Sequence, residues 1–119
     1  MENRDIALLI AQVLYDKKSE DIDIIDISEK SGFADYFVIA TARSLRQLKS
    51  LADELEDKLE QEGVFVRHVE GLNDSGWVLM DYGDIIVNLF TQEQRVHYFI
   101  ERLWSDCPVV EFEPAVKDE

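Results

Sequence analysis

Asp21 and Asp23 stand one residue apart in "DIDIID", and Asp81 and Asp84 flank Tyr82-Gly83 in "MDYGDI". Carboxylates so spaced, on a strand or across a hairpin, are donors of the kind a divalent cation uses in phosphoryl transfer. That chemistry also needs groups that cradle phosphate, and the sequence has no glycine-rich phosphate loop. Ser31-Gly32 is not followed by an aspartate pair at a suitable distance. Aspartate also favours turns and strand ends for conformational reasons, which accounts for all four without a metal. Cys107, the single cysteine, precedes Pro108 with nothing beside it to activate a thiol, and no serine sits in a nucleophile elbow. One cysteine excludes an internal disulfide and a cysteine-based zinc site. His68 and His97 fall in different elements without ligand spacing. No catalytic residue, metal ligand or cofactor is expected.

The elements that must position these residues follow from periodicity. Residues 2–17 read as a helix, with Ile6, Leu9, Ile10 and Val13 on one face. The segment 21–28 alternates and is β-branched, so it reads as a strand, and 36–42 is apolar on both faces, as an interior strand is. Ser44 and Gln47 fit a capping box opening a helix whose stripe is Leu45, Leu48, Ala52, Leu55 and Leu59, closed by Gly63. A third strand over 64–70 and a hairpin over 77–90 follow. Thr91 and Gln94 then start a helix with Val96, Phe99, Ile100 and Leu103 on one face. The expected fold is a mixed α/β single domain, an approximately five-stranded mixed sheet with three helices over residues 1–111. An extended or frayed acidic tail over 112–119 follows.

Composition bounds the partners. The chain is 119 residues with 46% hydrophobic and 32% charged residues, the balance of a globular protein. No run of about 18 apolar residues is present to span a bilayer, and "MENRDIALLIAQVL" is too acidic and amphipathic for a signal peptide. A cytoplasmic protein with no membrane partner is expected. Its net charge of −14 repels phosphate backbones and favours encounter with a basic protein, although acidity also serves solubility alone. Arg43, Arg46 and Lys49 interrupt that acidity at the start of the second long helix, where they oppose its dipole. They are read as an anion contact or as solvated surface charges.

A two-residue Tyr82-Gly83 turn would pair Asp81 with Asp84, Met80 with Ile85, Leu79 with Ile86, Val78 with Val87 and Trp77 with Asn88. Alternation then puts Val78, Met80, Ile85, Val87 and Leu89 in the core. Trp77, Leu79 and Ile86 fall on the other face, rimmed by Asp81, Asp84 and Asn88. Two directly opposed aspartates do not help a hairpin. An aromatic and aliphatic patch with an acidic rim has the composition of a docking face for a basic protein. A helix covering this face would instead make Trp77 core, and the pattern leaves both arrangements open.

The blocks "DIIDISEKSGFADYFVIATARSLRQLKSLADELEDKLEQEG", "EGLNDSGWVLMDYGDIIVNLF" and "ERLW" closely resemble the ribosomal silencing factor family RsfS, also called Iojap. The likeness runs from about residue 5 to residue 111 and rests on several ordered blocks. It implies a nucleotidyltransferase-like α/β fold without that activity, since the Gly-Ser turn followed by D-x-D is missing. It further implies a non-enzymatic translation repressor acting under nutrient limitation. Such a repressor binds the large ribosomal subunit through ribosomal protein fourteen (the universal L-fourteen protein) and blocks joining of the small subunit. Homodimers when free belong to the same expectation; a peripheral contact to ribosomal RNA is a separate expectation that the resemblance does not supply. Carried over by position, the contact surface falls at Trp77, Met80, Asp81 and Tyr82. The hairpin pattern adds Leu79, Asp84 and Ile86, while Arg43 and Arg46 remain the anion contact. The alternative is a metal-dependent nucleotidyltransferase-type enzyme using Asp21, Asp23 or Asp81.

Overall fold

The computed structural model describes residues 1–116. Helix α1 (Asn3–Asp16) is followed by strands β1 (Glu20–Asp26) and β2 (Tyr36–Ala42), then helix α2 (Leu45–Gln61). Strands β3 (His68–Glu70), β4 (Trp77–Asp81) and β5 (Ile85–Thr91) come next, and a short helix α3 (Gln92–Tyr98) leads into a 3-10 turn over Ile100–Trp104. The strands form one mixed sheet in the order β1-β2-β5-β4-β3, with β2 and β5 parallel and the other pairs antiparallel. The expected mixed α/β architecture of five strands and three helices is the one observed.

Both long helices cover one face of the sheet. Ile10 and Leu14 of α1, and Leu48, Leu51, Leu55 and Leu59 of α2, pack with Val38, Ala40, Val78, Met80, Val87 and Leu89 in one aliphatic cluster. Helix α2 begins as expected, with the Ser44 hydroxyl accepting from Gln47 N, and Gly63 follows it at φ 79°. The Gln47 side chain accepts from Arg43 N rather than from Ser44 N, so the reciprocal half of the cap reaches one residue further back. Leu45, expected in the stripe, is exposed at the first helical position, and Leu51 is buried in its stead.

Three expectations shift locally. The third strand is only His68–Glu70, not 64–70: Val64 N is spent on Leu59 O, closing α2, and Phe65 is exposed. The last helix does not run through Leu103. Phe99 takes a left-handed conformation (φ 45°, ψ 52°) that ends α3, leaving Val96, Phe99 and Leu103 exposed, while Ile100 packs against the sheet. The chain after Cys107 lies extended along β1, with Asp26 N donating to Pro108 O and Val110 N to Ile24 O. Beyond it, Phe112 meets Tyr15 edge-on and Ala115 exchanges two hydrogen bonds with Gln12. The end of the expected tail, 117–119, lies outside the described residues.

Candidate functional site

The hairpin's pairing differs from the expected one by two residues. Asp81 lies opposite Ile86, Met80 opposite Val87, Leu79 opposite Asn88 and Trp77 opposite Phe90. Tyr82 N bonds Ile85 O, so the two-residue turn is Gly83-Asp84, with Gly83 at φ 92°. A glycine at the first central position suits the turns whose twist matches antiparallel strands. Because side chains alternate with a period of two, a shift of two leaves every residue on its expected face. Val78, Met80, Ile85, Val87 and Leu89 are all buried against the helices.

The shift does separate the two aspartates. Asp81 sits on the far face from the long helices, where one carboxylate oxygen accepts from Gly83 N at 2.7 Å and pins the turn. Asp84 occupies the turn itself and accepts from Asn3 Nδ2 at 3.1 Å, beside Asp35, which accepts from the same amide. Asp81 and Asp84 therefore do not face each other, and Asp84 belongs to the turn against α1 rather than to a rim around Trp77. Tyr82 and Met80, named with the contact surface, lie on the helix face: Met80 is fully buried and Tyr82 nearly so. Burial and the nearby Glu56 and Glu60 raise the Tyr82 phenol pKa far above its ordinary value. Ile86 is on the Trp77 face but buried, as is Asn88.

What remains open on that face is built around Trp77. Its indole is half-buried, stacks on Phe90 with centroids 5.1 Å apart, and donates from Nε1 to Asn88 Oδ1 at 3.0 Å. Tyr98, at the end of α3, leans on its other side at 4.6 Å and keeps about half its surface exposed. Leu79, Glu70, Gly71, Asn73 and Ser75 complete a concavity of about 350 Å³ beside the two rings. Both open possibilities for this face are thus realised in part: α3 and the 3-10 turn cover its β1-β2 side, and the β4 side stays accessible. Further along, Phe33, Phe37 and Trp104 meet edge to face, with Phe33 exposed.

The other candidate carboxylates go elsewhere. A bulge falls between Glu20 and Asp23, with Asp21 in a left-handed conformation (φ 49°), so the alternation that would align Asp21 with Asp23 is broken. Asp23 meets the Arg95 guanidinium at 2.6 Å, and Asp21 supplies only its carbonyl to the same group. Among the described residues, no three His, Cys, Asp or Glu side chains converge as a cation site. Arg43 and Arg46 are exposed at the α2 N-terminus; Arg43 lies 3.7 Å from Glu20, and Lys49 pairs with Asp74 at 2.6 Å. A larger concavity of about 700 Å³ at the end of α1 is lined by Lys17, Lys18, Arg43 and Lys58. Lys17 there pairs with Glu54 at 3.3 Å, and Lys18 takes a left-handed conformation (φ 68°). Sequence reasoning missed Tyr98 and Arg95. Tyr98 follows the helical signal but lies off the face chosen for burial, and the partners of Arg95 are remote in the chain.

The site is thus a half-open aromatic face on a small α/β scaffold. The family model described as "Ribosomal silencing factor during starvation", RsfS, matches residues 1–119. Ribosomal silencing factor RsfS of Halalkalibacterium halodurans is 33% identical over 98% of this chain and 99% of its own length. That of Zymomonas mobilis is 42% identical over 85% of this chain and 80% of its own. A crystal structure of a Chromobacterium violaceum protein superposes with a TM-score of 0.85 at 34% identity, covering 98% of this chain and 95% of that one. A Bacillus halodurans structure gives 0.81 at 31%, covering 92% and 100%. The chain belongs to the RsfS family of ribosomal silencing factors.

Proposed function

We propose that this protein lowers translation under nutrient limitation by docking its Trp77 face on the large ribosomal subunit, through ribosomal protein fourteen (the universal L-fourteen protein). From there it blocks joining of the small subunit by occupying space, without chemistry or cofactor, in the cytoplasm. The observation that carries the reading is the open concavity of Trp77, Tyr98 and Leu79 with Glu70 at its edge, on a chain of net charge −14. A desolvated aromatic anchor supplies binding energy, and an acidic surround speeds encounter with a basic partner. Trp77, Leu79 and Asp81 make the contact. Ile86 supports it from beneath, Met80 and Tyr82 are buried on the opposite face, and Asp84 holds the turn. Arg43 and Arg46 lie at the periphery as contacts to ribosomal RNA phosphates, and residues 1–111 form the docking domain. The free protein is a homodimer.

The test is sedimentation of the protein with purified large subunits, followed by reassociation with small subunits. Co-sedimentation and a loss of joined ribosomes are expected. Full subunit joining in the presence of saturating protein would overturn the occlusion reading.

A further inference from the structure

Helix α3 holds one side of the Trp77 face, yet it has almost no hydrophobic anchor. It is seven residues long, far too short to persist without tertiary support. Its only buried residue is Arg95, at 7% exposure; Val96 and His97 face solvent and Tyr98 is about half-exposed. Where most amphipathic helices dock through an apolar stripe, this one docks through a guanidinium. Arg95 Nη2 meets Asp23 at 2.6 Å, Nη1 reaches Thr41 Oγ1 at 3.0 Å and the Asp21 carbonyl, and Nε meets Glu101 at 3.0 Å. Those partners belong to β1, β2 and the 3-10 turn, so one planar fork ties α3 to three separate pieces of chain. The β1 bulge that leaves Asp21 in a left-handed conformation lies beside the two acceptors. Phe99, left-handed directly after Tyr98, turns the chain so that Glu101 comes back to Arg95. An aromatic residue resists that conformation, so surrounding contacts must hold it.

We infer that Arg95 is the positioning residue of the docking face: it fixes α3 on the sheet and thereby sets Tyr98 against Trp77. This rests on the Trp77 face being the docking surface for its functional consequence, but not for its structural one. Lysine cannot replace the fork, because its three donors radiate from one nitrogen whereas the spread guanidinium reaches four partners from three nitrogens.

The chain carrying Trp104→Phe has Trp77 as its one tryptophan. In that background Arg95→Met should shift Trp77 emission to the red and raise its quenching by acrylamide. Methionine preserves volume, and Asp23, whose side chain is 47% exposed, regains water, so the α1/α2 side should stay folded by circular dichroism. Arg95→Lys should give the same shift in part. Guanidinium ion, added far below denaturing concentrations to Arg95→Ala, should restore shielding, which a general loss of stability would not allow. Unchanged Trp77 emission and quenching in Arg95→Met would overturn the inference. If that variant unfolds, Asp23→Ala and Glu101→Ala each remove one tie, and absence of any Trp77 response in both would overturn it equally. Large-subunit sedimentation separates the two claims. Loss of shielding with about tenfold weaker binding supports both. Loss of shielding with intact binding leaves Arg95 as the positioning residue and refutes docking through Trp77.

Discussion

Against α1 and α2 the sheet presents Val38, Ala40, Val78, Met80, Val87 and Leu89, each fully buried and aliphatic. Its opposite face carries Phe37, Trp77, Leu79 and Phe90, and is covered by a seven-residue helix, a 3-10 turn and the residues leading into the tail. The first side gains stability from continuous apolar burial between long regular elements. The second gains order from aromatic contacts and one buried cation, and it leaves a concavity open. The docking proposed above would use both, a face closed by regular packing and another with surface left to offer.

The comparison breaks most visibly if the aliphatic side is cut. Leu55→Ala and Met80→Ala each empty a fully buried position, and each should cost about 2–5 kcal/mol of stability by urea titration. Binding per folded molecule should be unchanged, including for Met80. Weaker binding by a still-folded Met80→Ala would return that residue to the contact surface. On the other face the order inverts. Trp77→Ala should cost about 2 kcal/mol or more of large-subunit affinity and less stability than Leu55→Ala, since Trp77 is only half-buried. An equal loss of stability would make Trp77 a core residue and remove it from the site.

The same contrast decides what could be read from sequence. The α1/α2 side was legible because its information is local. Period 3.6 in α2 and period 2 in the hairpin suffice, and the bounds of β2 emerge unaltered at Tyr36–Ala42. Even the misplaced turn did no harm to the faces, because Tyr82-Gly83 and Gly83-Asp84 differ by a pairing shift of two. Gly83 at the first central position is a local signal for the observed turn, and the Tyr82 ring is buried beside it near Glu56 and Glu60 of α2. The outer face was only half legible. Its aromatic hairpin residues were visible, but Asp23, Thr41 and Glu101 come together on Arg95 from distant parts of the chain. The left-handed turn at Phe99 lies where residue type argues for more helix.

Smaller effects sharpen the division. Ser44→Ala removes the hydroxyl that accepts from Gln47 N and should cost about 1 kcal/mol of stability with no change in binding. Asp81→Asn keeps an oxygen for Gly83 N and removes only charge. Its melting temperature should stay put, while association with large subunits slows a few-fold at low salt and converges with the parent as salt rises. A rate insensitive to salt in both proteins would remove Asp81 from the electrostatic surround.

The smallest effect at neutral pH is expected at Tyr82, where the comparison is most specific. Its hydroxyl is buried on the α1/α2 side, and among the described residues nothing there hydrogen-bonds with it. Tyr82→Phe removes a polar atom that gains nothing in the fold, so stability at pH 7 should move by less than about 1 kcal/mol, in either direction. Alkaline pH separates the two proteins. Burial, with Glu56 and Glu60 nearby, holds the folded phenol pKa well above its value in the unfolded chain. The unfolded chain therefore loses this proton first, near pH 10. Stability that is fully present below that pH drains away as pH rises further. Phenylalanine has no proton to lose, so Tyr82→Phe should fall less steeply above pH 10 than the parent. Identical alkaline slopes would mean that Tyr82 reaches solvent, and the contact surface would again extend through the turn.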